Sequence, residues 1–460
     1  MDFPFSEERV IFLKKIKRRL PISYPRLLAE GFGLIILLGT LVLMLPISSR
    51  AGVWSPFADC LLTATSATCV TGLIAFDTYS HWSLFGQIVI ITLIQIGGLG
   101  FMTLISMFVM FLRKKINLRE RLLLMQSSGN LSLADVTGLI KRILLGTLLF
   151  EGLGAVALSF YFVPKLGIWK GIYNAVFHSV SAFCNAGFDL MGRVQPFSSF
   201  TSERGNMLVN CTLMALIVIG GIGFLVWNDV WEHKWRFKRY CLHSKIVLTT
   251  TLILLVGATV FFYFSETNGA LTGLEGGEKW LAAAFQSVTL RTAGFNTVEQ
   301  ALLSGGGSIL SMILMVIGGS PGSTAGGVKT VTVAVVFLTA LAVMGNHREV
   351  EVYKKSLSKD NIRQAFAVVF IYLMMTFGAV IFLSFIEPFG LRELFYEVCS
   401  AVGTVGITMG ITTKLTLAGK LIITFLMFFG RIGGLSLAMA FSEDRPAPPL
   451  QRPEGNVLIG

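Results

Sequence analysis

Long runs of apolar residues alternate with short polar segments along almost the whole chain. Crossing the hydrocarbon of a bilayer takes about 20 apolar residues as a helix. Runs of this length predict continuous spans at residues 27–46, 84–112, 139–162, 208–231, 246–264, 366–386 and 421–441. A further region, residues 309–344, is apolar at both ends but is interrupted in its middle. The pattern predicts an all-α integral membrane protein.

Four apolar stretches between these spans are too short to cross a membrane. They lie at residues 57–67, 173–183, 279–289 and 393–402. Helices of about 11 residues are ~17 Å long, roughly half of the ~30 Å hydrocarbon core. Each stretch leads directly into a tail that contains glycine. We therefore expect four re-entrant pore helices, each followed by a loop at membrane depth.

The glycine tails recur at a nearly constant interval. Their glycines, which are Gly72, Gly187, Gly294 and Gly406, are spaced 115, 107 and 112 residues apart. A second glycine group follows each tail, at residues 96–101, 219–224, 317–322 and 430–434. Such a period indicates internal repeats. The predicted fold is four pseudo-symmetric repeats of helix, re-entrant pore helix with filter loop, and helix, which gives eight transmembrane spans.

The repeats divide the chain into six predicted segments. These are a cytoplasmic N-terminal segment (1–26), repeat 1 (27–121), repeat 2 (122–242), repeat 3 (243–347), repeat 4 (348–441) and a cytoplasmic C-terminal tail (442–460). Two spans in each repeat return the chain to the side on which it started. Both termini therefore face the same side of the membrane.

The charge distribution agrees with this topology. Only 14% of residues are charged, against about 25% in soluble domains. The net charge is +12, and 26 of the 38 Lys and Arg fall in segments that the topology places on one side. An excess of basic residues marks the cytoplasmic loops of membrane proteins. We predict a multi-pass protein of the cell membrane with cytoplasmic termini and no nucleic-acid partner; the basic loops are also compatible with an acidic partner.

The tails themselves suggest the chemistry. Backbone at membrane depth must be satisfied inside the protein or line a wet cavity. Four such loops around one axis present rings of carbonyl oxygens that replace the hydration shell of a monovalent cation. The predicted K⁺-binding filter residues are Val70, Thr71, Gly72, Leu73, Asn185, Ala186, Gly187, Phe188, Thr292, Ala293, Gly294, Phe295, Thr404, Val405, Gly406 and Ile407. The alternative is that the glycines only permit close helix packing.

The interrupted third region predicts a gate. Glycines, a proline and hydroxyl side chains break the helix between two apolar halves. The predicted gate residues are Gly318, Gly319, Ser320, Pro321, Gly322, Ser323, Thr324, Ala325, Gly326, Gly327, Lys329 and Arg431. Arg431 lies in the middle of the last apolar run, where a charge is costly and by default functional. There it would obstruct cations; pairing with Glu151 or with a carbonyl of the broken helix is the structural alternative.

These motifs resemble those of the Trk/Ktr/HKT superfamily of potassium transporters, most closely its KtrB-type membrane subunit. The resembling segments are 70–73, 185–188, 291–296 and 403–406, together with 95–101, 429–433 and 453–455. The resemblance implies K⁺ uptake, a homodimer, and a cytosolic nucleotide-binding ring subunit of the KtrA type. It also implies that residues 318–330 form an intramembrane gating loop, and it leaves open a role for Na⁺ as activator or coupling ion.

The sequence thus predicts the pore-forming subunit of a potassium uptake system rather than an enzyme. The five histidines are scattered, without a metal or triad motif around them. The segment Gly322–Thr330 resembles a phosphate-binding loop, but Val328 interrupts the required Gly-Lys pair, so no nucleotide site is expected in this chain. Two other functions stay open: a sodium-selective or sodium-coupled carrier, and a membrane scaffold that transports nothing.

Overall fold

The structure is a computed structural model that describes residues 24–100, 136–193, 195–234 and 236–441. The predicted terminal segments and the junction between repeats 1 and 2 lie largely outside these residues. The described helices are α1 (Tyr24–Met44), α2 (Phe57–Thr68), α3 (Leu84–Leu99), α4 (Val136–Leu166), α5 (Ile168–Phe183), α6 (Met207–Ile222), α7 (Phe224–His233), α8 (Leu242–Ser265), α9 (Gly276–Thr289), α10 (Gly305–Val316), α11 (Thr330–Met344), α12 (Lys359–Ile386), α13 (Leu391–Gly403), α14 (Leu417–Ile432) and α15 (Gly434–Phe441).

Four of these helices are long and apolar enough to cross a membrane by themselves. They are α1, α4, α8 and α12, and each begins one of the predicted units. Their outward faces carry exposed Leu, Ile, Val and Phe side chains. Exposing such faces to water costs free energy, whereas exposing them to lipid tails does not. Each long helix is followed by one of the short helices α2, α5, α9 and α13.

In each unit the second helix, as far as the structure describes it, ends inside its apolar region; the sequence led us to expect this only in the third unit. The predicted continuous spans 84–112, 208–231 and 421–441 are wrong: their helices end at Leu99, Ile222 and Ile432. The next residues, Gly100, Gly223 and Gly433, have φ values of 81°, 103° and 91°. An α-helix cannot continue through such dihedrals. Helices α6 and α7 consequently meet at a bend of 93°.

The four second helices nevertheless begin in the same way. A side-chain oxygen of the N-cap residue accepts a hydrogen bond from the backbone N–H three residues later, which satisfies an otherwise unpaired donor. These N-cap residues are Ser83, Asn206, Ser304 and Thr416. Between α11 and α12, the strands β1 (Glu351–Val352) and β2 (Lys355–Ser356) form a small antiparallel hairpin with Glu351 opposite Ser356.

The short helices occupy the centre of the molecule. Almost every side chain in their C-terminal halves is buried, including Thr63, Ser66, Ser181 and Ser400. Small hydroxyl-bearing and alanine side chains dominate here, which lets the helices approach one another closely. The C-terminal ends of the four short helices thereby bring their glycine tails together.

Candidate ion-conducting site

The four glycine tails close into a ring. A Cβ atom at Gly72 would lie 2.8 Å from the carbonyl oxygen of Ala186, the residue before Gly187. A Cβ at Gly187 would lie 2.8 Å from the Ala293 carbonyl oxygen, and one at Gly294 would lie 2.6 Å from that of Val405. At Gly406 the Cβ would overlap the Thr71 carbonyl oxygen, which returns to the first tail.

All four tails share one backbone conformation. The filter glycines have φ values of 102°, 69°, 88° and 91° in chain order. The residue two positions earlier is also left-handed, with φ of 57° at Val70, 59° at Asn185, 68° at Thr292 and 52° at Thr404. Non-glycine residues adopt this region rarely, and a β-branched residue there is an outlier. Three β-branched outliers and one asparagine at matching positions indicate that the loops are held in shape by their surroundings.

Hydrogen bonds to the short helices hold the tails in this shape. The N–H groups of Thr71, Ala186 and Val405 each donate 2.8 Å bonds to the serine carbonyl five residues earlier. The Gly72 and Gly406 N–H groups donate to the Ser66 and Ser400 hydroxyls. In a trans peptide the C=O points opposite to the N–H. The carbonyls that precede these N–H groups therefore point away from the short helices, toward the ring centre.

The four carbonyls that lie against the glycine of a neighbouring tail lack protein partners within the described residues. Among the described residues, no hydrogen bond reaches the carbonyl oxygens of Thr71, Ala186, Ala293 or Val405. Unpaired backbone oxygens inside a membrane protein are costly unless water or an ion satisfies them. The C-terminal ends of the short helices also face the ring and carry partial negative charge. Both features favour a cation and disfavour an anion at the centre.

The second helices pack closely against the C-terminal ends of the short helices, behind the predicted filter. A Cβ at Gly97, Gly220 or Gly430 would overlap the carbonyl oxygen of Thr68, Phe183 or Val402, respectively. Each of these carbonyls belongs to the residue four positions before a filter glycine. The second glycine group is thus needed because a larger residue would push the short helix toward the ring. On the other side of the tails, the side chains of Leu73, Phe188, Phe295 and Ile407 are buried.

A cavity of about 580 Å³ opens onto one side of the ring, and we call it the vestibule. All four filter glycines line it, and so do Asp77, Asp189 and Glu299. Among the described residues, Arg204 is the one basic residue on its lining. The net negative charge attracts cations to the ring.

The vestibule carboxylates are not among the residues predicted from the sequence, although Asp189 directly follows the second tail and is two residues from Gly187. Its Oδ1 accepts a 2.9 Å bond from the Met191 N–H. Burial raises the pKa of Asp189 to about 6; the Met191 N–H opposes this rise, and the nearby charge of Asp77 adds to it. The carboxylate is therefore charged at neutral pH and becomes neutral in mildly acidic medium.

The predicted gate residues 318–329 form an ordered loop between α10 and α11. Its ends are paired, because the Gly318 N–H donates to the Val328 carbonyl at 2.9 Å. The Ser320 and Thr324 N–H groups donate to the carbonyls of Gly221 and Gly220. The Thr324 hydroxyl donates to the carbonyl of Phe183, the last residue of α5. The loop thus lies directly behind the second tail, on the opposite side of the ring from the vestibule.

Arg431 connects this loop to the first unit. Its Nη1 donates to the Thr324 carbonyl, and its Nη2 donates to the carbonyls of Gly97 and Gly98. Of the two structural alternatives, pairing with the broken helix is the one observed, because these partners are backbone carbonyls and Glu151 instead contacts Gln95. In the equivalent glycine groups, the position of Arg431 is occupied by Gly98 and Gly221. A guanidinium carries five N–H donors in a planar fork, so it can bind the loop and the C-terminal end of α3 at once.

Lys329, the other partly buried cation among the predicted gate residues, turns back onto its own loop. Its ammonium donates to the Ala325 carbonyl at 2.8 Å and lies 3.5 Å from the Gly326 carbonyl oxygen. Backbone carbonyls are therefore the observed partners of this ammonium. Gly326 itself lies so close to the fourth tail that a Cβ there would overlap the Thr404 hydroxyl oxygen.

Known proteins match this chain along most of its length. A family model described as TrkH, cation transport protein, matches residues 33–451. The potassium/sodium uptake protein NtpJ of Enterococcus hirae is 39% identical, and the match covers 98% of this chain and 100% of that protein. The Ktr system potassium uptake protein B of Bacillus subtilis is 38% identical over 97% of this chain and 99% of its own length.

A solved structure supports the same fold. The crystal structure of the potassium transporter TrkH from Vibrio parahaemolyticus matches with a TM-score of 0.67 and 16% identity, over 90% of this chain and 85% of that one. The resemblance predicted from the motifs is confirmed. This chain is a multi-pass membrane protein that belongs to the TrkH family of cation transport proteins, with full-length similarity to Ktr and NtpJ uptake proteins.

Proposed function

We propose that this chain is the pore-forming subunit of a potassium uptake system, in which K⁺ sheds its water among the carbonyls of the four tails. The observation that carries the proposal is the closed ring of unpaired carbonyls of Thr71, Ala186, Ala293 and Val405. Oxygen dipoles around a narrow opening can replace the hydration shell of a monovalent ion. The names of its potassium-transporting relatives support the choice of K⁺.

The loop 318–330 is the proposed gate. It lies behind the filter, and it is tied to α6 by backbone hydrogen bonds and to Arg431 through the Thr324 carbonyl. The two backbone hydrogen bonds contribute about 1 kcal/mol each and the bond from the charged guanidinium about 1.5–3 kcal/mol, so a partner that pulls on a neighbouring helix can release the loop. Arg431 also adds a positive charge to the proposed path, which raises the barrier for a cation.

The remaining features of the proposal follow from the topology and the family. The chain is organised as four repeats with eight spans and cytoplasmic termini, so the vestibule faces outward. It functions as a homodimer with a cytosolic nucleotide-binding ring subunit of the KtrA type and carries no nucleotide site of its own. The shared backbone pattern of the four tails supports the repeats, and the name of a Ktr-system relative supports further components.

Growth of a potassium-uptake-deficient bacterium on micromolar K⁺ tests the function. Expression of this chain with a KtrA-type ring subunit is expected to restore growth, and expression of the chain alone should restore it less. Comparing growth with and without Na⁺ shows whether Na⁺ acts as an activator or coupling ion or takes no part in uptake. A chain that reaches the membrane in normal amount without restoring growth under any of these conditions would favour the scaffold alternative.

Asp189 gives the proposal a pH dependence. Because its pKa is about 6, its charge is present above that pH and is lost as the pH falls through it. K⁺ uptake at subsaturating K⁺ and low ionic strength should fall about threefold across this range, as local K⁺ enrichment weakens. Uptake into proteoliposomes at several values of outside pH measures the effect.

The Asp189→Asn variant is expected to lose this pH step and to remain at the low rate throughout. Glu299→Gln is the matched control, because Glu299 lines the same vestibule. It should lower uptake slightly and keep the step near pH 6. A step that persists in Asp189→Asn would show that another group is responsible.

A further inference from the structure

A second cavity lies at the vestibule end of the helices, between the first and second units. Its volume is about 270 Å³, and four basic side chains line it: Arg50, Lys165, Lys170 and Arg193. They come from four different places in the chain: the turn after α1, the last turn of α4, the first turn of α5 and the segment after the second tail. We call this cavity the basic pocket.

The basic pocket carries uncompensated positive charge. Glu203 is the one carboxylate that the described part of the chain places on its lining, and it pairs with Lys165 at 3.0 Å. Within the described residues, Lys170 and Arg193 have no acidic group within 4 Å. The nearby carboxylates Asp77 and Asp189 line the vestibule instead. Cations gathered in one cavity repel each other unless an anion joins them.

An accumulation of four basic residues is unusual for the vestibule end of the protein. In the proposed topology only ten Lys and Arg lie outside the cytoplasmic segments and the spans, and four of them line this pocket. Tyrosines add hydroxyl donors and ring faces. The Tyr161 hydroxyl lies 2.6 Å from the Lys165 ammonium, and the Arg50 guanidinium lies over the Tyr79 ring at 4.5 Å. Arginine, lysine and tyrosine donors together suit the oxygens of a phosphate group.

Exposed apolar side chains lie on or next to residues that line the basic pocket. Ile168 and Trp169, immediately before Lys170, are 65% and 86% exposed. Leu84, which lines the pocket, is 61% exposed. Exposed tryptophan beside basic residues is typical of the interface between lipid headgroups and acyl chains. A freely diffusing phosphate would gain nothing from these apolar side chains, whereas a lipid would place its acyl chains along them.

We propose that the basic pocket binds the phosphate headgroup of an anionic phospholipid, whose acyl chains lie against Ile168, Trp169 and the exposed face of α4. In the orientation proposed above, this lipid belongs to the outer leaflet. It bridges the turn after α1 to the segment that follows the second filter tail. The lipid therefore clamps the first and second units together beside the vestibule.

Lipid binding to the purified protein tests this proposal. The probes are phosphatidylglycerol, phosphatidylcholine and inorganic phosphate, with native mass spectrometry and thermal unfolding as the readouts. We expect phosphatidylglycerol to bind about tenfold more tightly than phosphatidylcholine, which corresponds to about 1.4 kcal/mol. Millimolar inorganic phosphate is expected to compete only weakly with it. Equal binding of the two lipids, or saturation by inorganic phosphate alone, would overturn the proposal.

The double variant Lys170→Gln/Arg193→Gln should lose this preference for phosphatidylglycerol. The matched control, Lys279→Gln/Lys414→Gln, removes the same charge at the same end of the protein but outside the pocket, and it should keep the preference. Should the double variant fail to purify, each single variant is expected to lose about threefold in affinity for phosphatidylglycerol. Unchanged affinity in the pocket variants, or an equal loss in the control, would contradict the assignment.

Discussion

The Gly406→Ser variant is expected to lose most of its preference for K⁺ over Na⁺, by about tenfold in the flux ratio or about 1.4 kcal/mol. A Cβ at this position would overlap the Thr71 carbonyl oxygen and lie 2.7 Å from the Gly72 Cα. One tail of the ring must then move away from its neighbour. Selectivity depends on the number and arrangement of the coordinating carbonyls, so a displaced carbonyl lets the smaller Na⁺ compete. The measurement is K⁺ and Na⁺ flux into proteoliposomes.

The chain offers a close control for this variant four residues further along. Gly410 has the same φ of 91° as Gly406, but a Cβ there would meet nothing within 4 Å. Gly410→Ser therefore introduces the same backbone strain without displacing a filter carbonyl, and it should keep the wild-type flux ratio. If both variants change selectivity equally, backbone strain rather than carbonyl displacement is the cause. If Gly406→Ser keeps its selectivity, Gly406 does not belong to the filter.

Removal of residues 320–326 is expected to raise K⁺ flux on the order of tenfold, as for a barrier lowered by about 1.4 kcal/mol. The excised segment carries the bonds to Gly220 and Gly221 and the carbonyl that binds Arg431. The loop can be closed without it, because Gly318 remains paired with Val328 and a Cβ at Gly327 would lie 3.2 Å from the Gly318 Cα. Flux in proteoliposomes, with and without the ring subunit, measures both the barrier and its regulation.

Arg431→Gln is the companion to this deletion. This variant keeps the whole loop but removes the charged guanidinium, which donates hydrogen bonds to both Thr324 and the end of α3. Flux should rise in the same direction and by less than in the deletion. The deletion variant could instead elute like the wild type, which shows that it is folded, and yet conduct K⁺ only at background level. That result would mean that the loop builds the pore rather than closing it.

The recurrence of the tail glycines shows how much of this arrangement could be predicted from the sequence. Gly72, Gly187, Gly294 and Gly406 recur in phase with short apolar stretches, so the four loops could be predicted at the right residues. Their meeting in one ring could only be assumed, because it depends on packing between units more than 100 residues apart. The same limit applies to Arg431. Its position in the middle of an apolar run could be predicted from the sequence, but its partners Thr324 and Gly97, which lie 107 and 334 residues away, could not.

The helix breaks at Gly100, Gly223 and Gly433 were missed for a different reason. Each lies in a long, predominantly apolar run, and hydropathy does not distinguish a glycine that packs a helix from one that ends it. The conformation decides between them: Gly97 and Gly220 stay helical, whereas Gly100 and Gly223 have positive φ. Likewise, the vestibule carboxylates belong to polar loops whose positions only the folded chain defines.

Thallium substitution tests the central claim most directly, because Tl⁺ replaces K⁺ and scatters anomalously. In crystals of the protein soaked in a thallium salt, we expect anomalous peaks along one axis inside the ring of Gly72, Gly187, Gly294 and Gly406, within coordinating distance of the Thr71, Ala186, Ala293 and Val405 carbonyl oxygens. Exchange of Tl⁺ for K⁺ should remove these peaks, and Na⁺ should remove them poorly. Occupied Tl⁺ sites elsewhere in the protein, with none inside the ring, would contradict the account.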